Sequence, residues 1–376
     1  MTNIIPLTPI LYDRSRVVTD WQCPRKRFYQ YEYDGKGVVP ATTQLELQLG
    51  IIIHDALAAI GHGVDIEDIA PAAQKQVYDS LMGMQTGDEY EADYFAKEQA
   101  ALVEGLVRGF NRAVWPALMR LYPRILAVEK EMEFRHDELG NGSPTGRFLF
   151  MSRPDVVLAS ENEEEVVYVE YKSTSTKKES WLHSWNTAVQ LHSTMRAIEA
   201  TLGVKPTSVI VQGLYKGYES YGKQNSPFCY AYSRGGNPPF SLPENRYDYA
   251  AGFRRFPSWQ LDGGVRKWVE GMPDEVLAAQ FPCTPPIFIN EDLVDKFFAQ
   301  RARREGEIDE FHKFTETDEK DLDAVFPQKF DQCLPAWGWG CTYRQFCFGR
   351  VGNPLEQGYA YREPHHAPET AQRETT

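Results

Sequence analysis

The order of patterns along the chain predicts an α/β fold: a helical block first, then a mixed β-sheet flanked by helices. Three observations carry this reading. Leu102, Leu106 and Phe110, with Val103, Val107 and Val114 beside them, recur at three and four residues, the period of one helix face. Short β-branched and aromatic runs around 125–134, 147–158 and 165–172 read as strands. A helical stretch around Gln190, ending near Leu202, then separates these from a further strand, Ser208 to Leu214.

Each segment can be justified in turn. Residues 1–35 form a basic and aromatic opening, and a loop through Gly35, Gly37 and Pro40 leads to an apolar segment holding His54. From about 55 to 121 the pattern is helical, and the stripe on Leu102, Leu106 and Phe110 reads as core packing. Residues 215–260 are rich in Tyr, Gly, Pro and Ser and read as an irregular extension of the sheet; 261–325 alternate helical patches with prolines. The tail after Asn353 is polar enough to predict disorder. There is no internal repeat and no phosphate-binding loop of the Gly-x4-Gly-Lys-Ser/Thr type, so helicase activity is assigned elsewhere.

The 376 residues, 42% of them apolar and 13% aromatic, suffice for a sizeable core. No window is long and apolar enough to cross a membrane and no signal peptide is read, which predicts a cytoplasmic protein without a membrane partner. A formal charge of −13 argues at first against nucleic acid. The distribution is uneven, however. Basic groups collect at Arg14, Arg16, Arg25, Lys26 and Arg27, at Lys177 and Lys178, at Arg254 and Arg255, and at Arg301, Arg303 and Arg304. Phe28, Tyr29 and Tyr31 are interleaved with the first group as candidates for stacking on unpaired bases. The plainer reading of each group is a solvated face.

The chemistry concentrates between Arg153 and Lys172. Arg153 to Ala159, carrying Asp155, reads as the first arm of a hairpin, an acidic turn spans Glu161 to Glu165, and Val166 to Lys172 returns as the second arm. Alternation puts Glu170 and Lys172 on one face and Val167, Val169 and Tyr171 on the other. Asp155 and Glu170 supply hard oxygen ligands for Mg²⁺ or Mn²⁺, which lowers the pKa of a bound water for attack on a phosphodiester. Lys172 would orient that water or offset charge on the phosphate.

Pro154-Asp155 with Glu170-Tyr171-Lys172 resembles the PD-(D/E)xK nuclease signature, and the surrounding elements resemble its RecB-like branch. Gly50 and His54 match that branch's Gly-x-x-x-His element. The resemblance implies metal ligation by His54, Asp155, Glu170 and the Tyr171 carbonyl, with Lys172, Asp155 and Glu170 catalytic. Gln190 matches the branch's glutamine, although Thr194 stands where a tyrosine usually follows. Glu129 resembles a supporting glutamate on the preceding strand. The fold implied is of the restriction-endonuclease type, with one domain over 1–353: a helical insert at about 56–122, a catalytic core at about 123–214 and a cysteine motif at 330–350. Residues 354–376 are then a disordered tail.

Six cysteines are present: Cys23, Cys229, Cys283, Cys333, Cys341 and Cys347. In a reducing setting a cysteine cluster suggests metal, and from the residues alone four thiolates fit zinc or iron-sulfur equally. Cys23, followed by Pro24, Arg25, Lys26, Arg27 and Phe28, resembles the opening of iron-sulfur members of the branch, such as CRISPR-associated RecB-like exonucleases and AddB-type nucleases. The resemblance implies that Cys23, Cys333, Cys341 and Cys347 hold a 4Fe-4S cluster joining the N- and C-terminal segments. The spacing Cys341-x5-Cys347 fits, whereas Cys333-x7-Cys341 is longer than the usual Cys-x2-Cys. Cys229 and Cys283 read as inert buried thiols.

The function implied is a Mg²⁺- or Mn²⁺-dependent deoxyribonuclease, a single-stranded DNA exonuclease acting on ends in recombination, repair, or CRISPR or phage DNA processing. The partners implied are DNA with a free end and a helicase, recombinase or CRISPR-type protein in a bacterial or phage-infected cell; homo-oligomerisation stays open. Two alternatives are a DNA-end-binding subunit with little catalysis and a four-cysteine redox or metal-sensing protein.

Overall fold

The computed structural model describes residues 9–41, 45–84, 89–174, 181–182, 184–185, 188–216, 227–234, 253–313, 319–333, 340–349 and 352–374. Strand β1 (Ile10–Asp13) turns directly into helix α1 (Arg14–Gln22). Asp13 caps that helix, its carboxylate accepting the Arg16 N–H at 2.9 Å. Helix α2 (Pro24–Arg27) opens on Pro24, whose missing N–H costs nothing in a first turn. Strand β2 (Val38–Pro40) follows, and then helices α3 (Leu45–Gly61), α4 (Ile66–Met84), α5 (Glu89–Ala113) and α6 (Trp115–Leu121). The predicted stripe on α5 is core: Leu106, Val107 and Phe110 are fully buried against Ile52, Ile53 and Leu57 of α3.

Two expected strands are each divided. The first is β3 (Arg124–Val128) and β4 (Met132–His136), broken at Glu129, whose φ of 45° is left-handed. The second is β5 (Phe148–Ser152) and β6 (Val156–Ala159), broken at Pro154, which has no N–H to give a ladder. The two breaks lie side by side, the Glu129 N–H donating to the Asp155 carbonyl at 3.0 Å.

Strand β7 (Val166–Thr174) pairs antiparallel with β6 across a turn closed by the Ser160 N–H and the Glu165 carbonyl at 2.9 Å. Helix α7 (Val189–Leu202) is the crossover that lets β8 (Ser208–Tyr215) run parallel to β7, with Glu170 beside Val211 and Lys172 beside Gly213. Gly203 ends α7 at a φ of 70°. Strands β9 (Tyr230–Arg234) and β10 (Phe253–Pro257) form a separate antiparallel pair, followed by helices α8 (Gly264–Gly271) and α9 (Asp274–Ala279), strand β11 (Ile287–Phe288) and helix α10 (Glu291–Lys313).

The five-stranded mixed sheet has the order β11-β8-β7-β6-β3, and a three-stranded sheet has the order β1-β5-β4. Alternation along β7 serves two cores. Val167, Val169 and Tyr171 join the cluster under α3 and α5, whereas Val166 and Tyr168 join one under α7 and α10 that includes Leu191, Met195 and Phe298. This is the mixed α/β architecture of a sheet flanked by helices that the sequence predicts.

The tail is a correction. Residues after Asn353 are not disordered over the described part: β12 (Tyr359–Tyr361) pairs with β2, and a C-terminal helix covers Ala367–Glu374. The charged groups that make the tail polar are spent on buried ion pairs, as Arg362 and Glu369, each 4% exposed, illustrate. The basic opening is corrected in the same way. Arg27 forks onto Glu305 at 2.8 and 2.6 Å, Arg301 and Arg304 reach Asp20 at 2.9 Å, and Tyr29 and Tyr31 are buried. These groups hold α1 and α2 to α10 and are not a basic surface. Lys177 and Lys178 lie outside the described residues, as do the side chains of Arg254 and Arg255.

Candidate metal centre and active-site cleft

The paired strand breaks build the site. They turn Glu129 and Asp155 out of the sheets at neighbouring points, and α3 brings His54 against them. His54 Nδ1 lies 2.9 Å from Asp155 Oδ1 and 4.0 Å from Glu129 Oε1. Among the described residues these three form a group whose ligand atoms all fall within 4.8 Å of one another. Gly50, one turn before His54, lines the same cleft, and a Cβ added there would meet nothing within 4 Å.

Glu170 and Lys172 enter from β7 on the face that alternation predicts. Glu170 is 3% exposed, and its Oε1 receives both the Lys172 ammonium and, at 2.5 Å, the Arg14 guanidinium. Arg14 Nε also donates to Gln190 Oε1 at 3.0 Å, so Gln190 reaches Glu170 through Arg14. Tyr171 buries its ring in the helical-side core while its N–H donates to Asp155 Oδ2 at 2.5 Å. Arg153 pairs with Glu129 Oε2 at 3.2 Å. His54, Glu129, Asp155, Glu170, Lys172, Arg14 and Arg153 line a cleft of about 520 Å³, together with Asp13, Ser152, His365 and His366.

The electrostatics are those of crowded carboxylates partly offset by Arg153, His54 and Lys172. Burial raises Glu129, the charge of Asp155 raises it further, and Arg153 and His54 offset only part of this, leaving it at about 8. Burial would also raise Asp155, but His54, Lys172 and the Tyr171 N–H outweigh it and hold Asp155 at about 2. For His54, burial favours the neutral ring, and the adjacent Asp155 overcomes it and raises the pKa. One carboxylate kept charged and one driven toward its neutral form, 4 Å from an imidazole, suit a divalent cation that neutralises both.

The structure thus brings His54, Asp155, Glu170 and Lys172 to one cleft and adds Arg14, His365 and His366, while Gln190 stands behind the lining and meets it through Arg14. Nothing local separates Arg14 from Arg16, which is buried against Glu369. The register of α1 on β1 decides between them. The two histidines were hidden by the polarity of the tail.

The cysteines gather elsewhere. Cys23 is the residue between α1 and α2, Cys333 ends a short helix, Phe330–Cys333, Cys341 precedes a helix, Arg344–Phe348, and Cys347 lies within that helix. The Cys341 N–H donates to the Cys333 carbonyl at 3.2 Å. Burial raises the Cys333 thiol, as do Cys341 and Cys23; burial likewise raises Cys347, to about 12, with Cys341, Cys333 and Cys23 adding to it. The four are therefore neighbours, and Cys341 and Cys347 pack against Tyr29, Tyr343 and Phe346. Cys229 is buried as expected, but Cys283 is exposed, because it lies beside the edge of β8 and not in the core.

Among the described residues no helix is long and apolar enough to cross a membrane. No curated protein matches the chain. The family model described as the PD-(D/E)XK nuclease superfamily matches residues 15–348, a span that holds His54, Asp155, Glu170, Lys172 and Gln190 together with the fold that assembles them. With that span covering most of its 376 residues, the chain belongs to the PD-(D/E)XK nuclease superfamily.

Proposed function

We propose that this superfamily member is a RecB-like deoxyribonuclease that cuts single-stranded DNA from an end, using Mg²⁺ or Mn²⁺. The observation that carries the reading is the convergence of His54, Asp155 and Glu129 beside Glu170 and Lys172 in one cleft. His54, Asp155, Glu170 and the Tyr171 carbonyl would hold the cation, with Glu129 adjoining them. When bound, the cation supplies Lewis-acid stabilisation of the phosphate and activation of water. The protein's part is positioning: Tyr171 N–H fixes Asp155, Arg14 fixes Glu170 against Gln190, and Lys172 keeps an ammonium where charge develops on the phosphate.

The second cofactor in this reading is a 4Fe-4S cluster on Cys23, Cys333, Cys341 and Cys347. Among the described residues no three of these sulphurs lie within 4.8 Å of one another. The preference for iron-sulfur over zinc rests on the resemblance of the Cys23 segment to iron-sulfur members of the branch. The nine-residue helix α1 runs from Arg14 in the cleft to Cys23 at the cluster, about 14 Å along its axis, and the cluster would brace it.

The test is degradation of end-labelled single- and double-stranded DNA by anaerobically purified protein with Mg²⁺ or Mn²⁺, against Lys172→Ala, with visible absorbance of the same sample. Divalent-dependent cleavage lost in the variant, from a brown protein, is the expected result, and the product ladder gives polarity. Absence of cleavage from folded, metal-loaded protein would refute the enzyme and favour a DNA-end-binding role. A colourless, zinc-containing active sample would refute the cluster alone.

A further inference from the structure

The family match ends at residue 348, yet the chain beyond it returns to the cleft. β12 pairs with β2 from Tyr359 opposite Pro40 to Tyr361 opposite Val38. The buried carboxylate of Glu369 then gathers three donors: Arg362, Arg16 at 2.8 Å, and the His365 backbone N–H at 3.0 Å. Arg362 and Arg16 also stack over the Tyr31 ring, 4.8 and 5.4 Å from its centre. The next residue, His366, is fixed by Glu131, with Nδ1 3.0 Å from Oε1, and its Nε2 lies 3.9 Å from Asp13. The backbone at His365 is therefore pinned from both sides.

His365 itself is exposed and lines the cleft with Arg14, Arg153 and Lys172. Among the described residues its ring has no hydrogen-bond partner. A buried ion network that holds one unpartnered donor at the mouth of an active site is the arrangement of a substrate contact. We propose that His365 donates a hydrogen bond to the phosphate backbone of the DNA strand lying in the cleft, making the segment that carries it a substrate-binding wall of the cleft. The inference rests on the nuclease reading given above.

The experiment uses the full chain in two forms. Cleavage of end-labelled single-stranded DNA gives KM and kcat for wild type, His365→Ala and His365→Asn. Fluorescence anisotropy of a labelled oligonucleotide, in the Lys172→Ala background, gives affinity without turnover. Loss of one phosphate contact predicts an increase of about two- to tenfold in KM and Kd for H365A, with kcat and Tm unchanged and with recovery in H365N, which keeps an N–H donor. Unchanged KM and Kd would overturn the proposal, and so would a KM increase that came with a lowered Tm, which marks a structural role. If wild type cuts DNA normally while H365A is silent, only this inference fails; if wild type neither binds nor cuts DNA, the nuclease reading fails first.

Discussion

Lys172 and Glu170 share one oxygen with Arg14, so two cations already neutralise the glutamate before substrate arrives. Lys172 is the cation of the pair that β7 carries into the cleft. Lys172→Ala is expected to lower the cleavage rate by about 100-fold or more while divalent binding, followed by calorimetry, persists. Asp155→Asn should do the reverse and abolish divalent binding, because it removes the charge that His54 and the Tyr171 N–H hold in place. Glu170 and Lys172 were legible from alternation along β7, and Asp155 from the Pro154-Asp155 pair that opens the hairpin. Arg14 was not, since its role depends on which side of α1 meets the sheet.

At the scale of elements, the site depends on strands that stop in the middle. β3 and β4, and β5 and β6, pass from one sheet to the other at Glu129 and Pro154, and the cleft opens at that joint. The three-stranded sheet keeps β1, and through Asp13 the start of α1, in line with it. His136 sits in that sheet, fully buried among Phe134, Phe148 and Phe298, with Nε2 2.7 Å from the Tyr12 hydroxyl. Burial lowers its pKa to about 4 from an ordinary 6.5. Between those values the unfolded chain binds the extra proton, so the contribution, about 3 kcal/mol in full, is present above pH 6.5 and lost as the pH falls through 4. Thermal unfolding across pH 4 to 7 should show this slope, and His136→Gln should flatten it. In the turn before β2, Gly37 has a φ of 72° and its Cβ position lies 2.2 Å from the Gln30 carbonyl oxygen. Gly37→Ala should therefore lower Tm through backbone displacement, unlike an alanine at Gly83, where the space is open and φ is not positive.

Across the whole molecule, the N-terminal segment is tied to helices far along the chain by buried charge. Glu305, 1% exposed, accepts from Arg27 and Arg301, and Asp20 accepts from Arg301 and Arg304. Glu305→Ala leaves two buried guanidinium groups short of a partner and should cost about 3–5 kcal/mol in denaturant unfolding. Trimming an exposed pair such as Lys75 with Asp79 should change stability by less than about 1 kcal/mol. Distant segments converge here in one frame, from β1 through α10 to the C-terminal helix, so truncation at residue 352 is expected to disturb the cleft as well as the tail.

What the sequence by itself determined is local and periodic. The amphipathic stripe of α5, the hairpin that carries Asp155 together with Glu170 and Lys172, and the crossover through α7 follow from spacings of two or about four residues. Such spacings dictate which side chains share a face whatever lies around them. Tertiary structure alone decided which charges are spent and which are free. Arg16, Arg27, Arg301 and the polar tail look like solvated surface in one dimension, yet each finds a partner in a distant segment and is buried, and the same convergence leaves Arg14 and His365 in the cleft. The physical reason is that burial of a charge depends on a counter-charge hundreds of residues away, a relation no local pattern records.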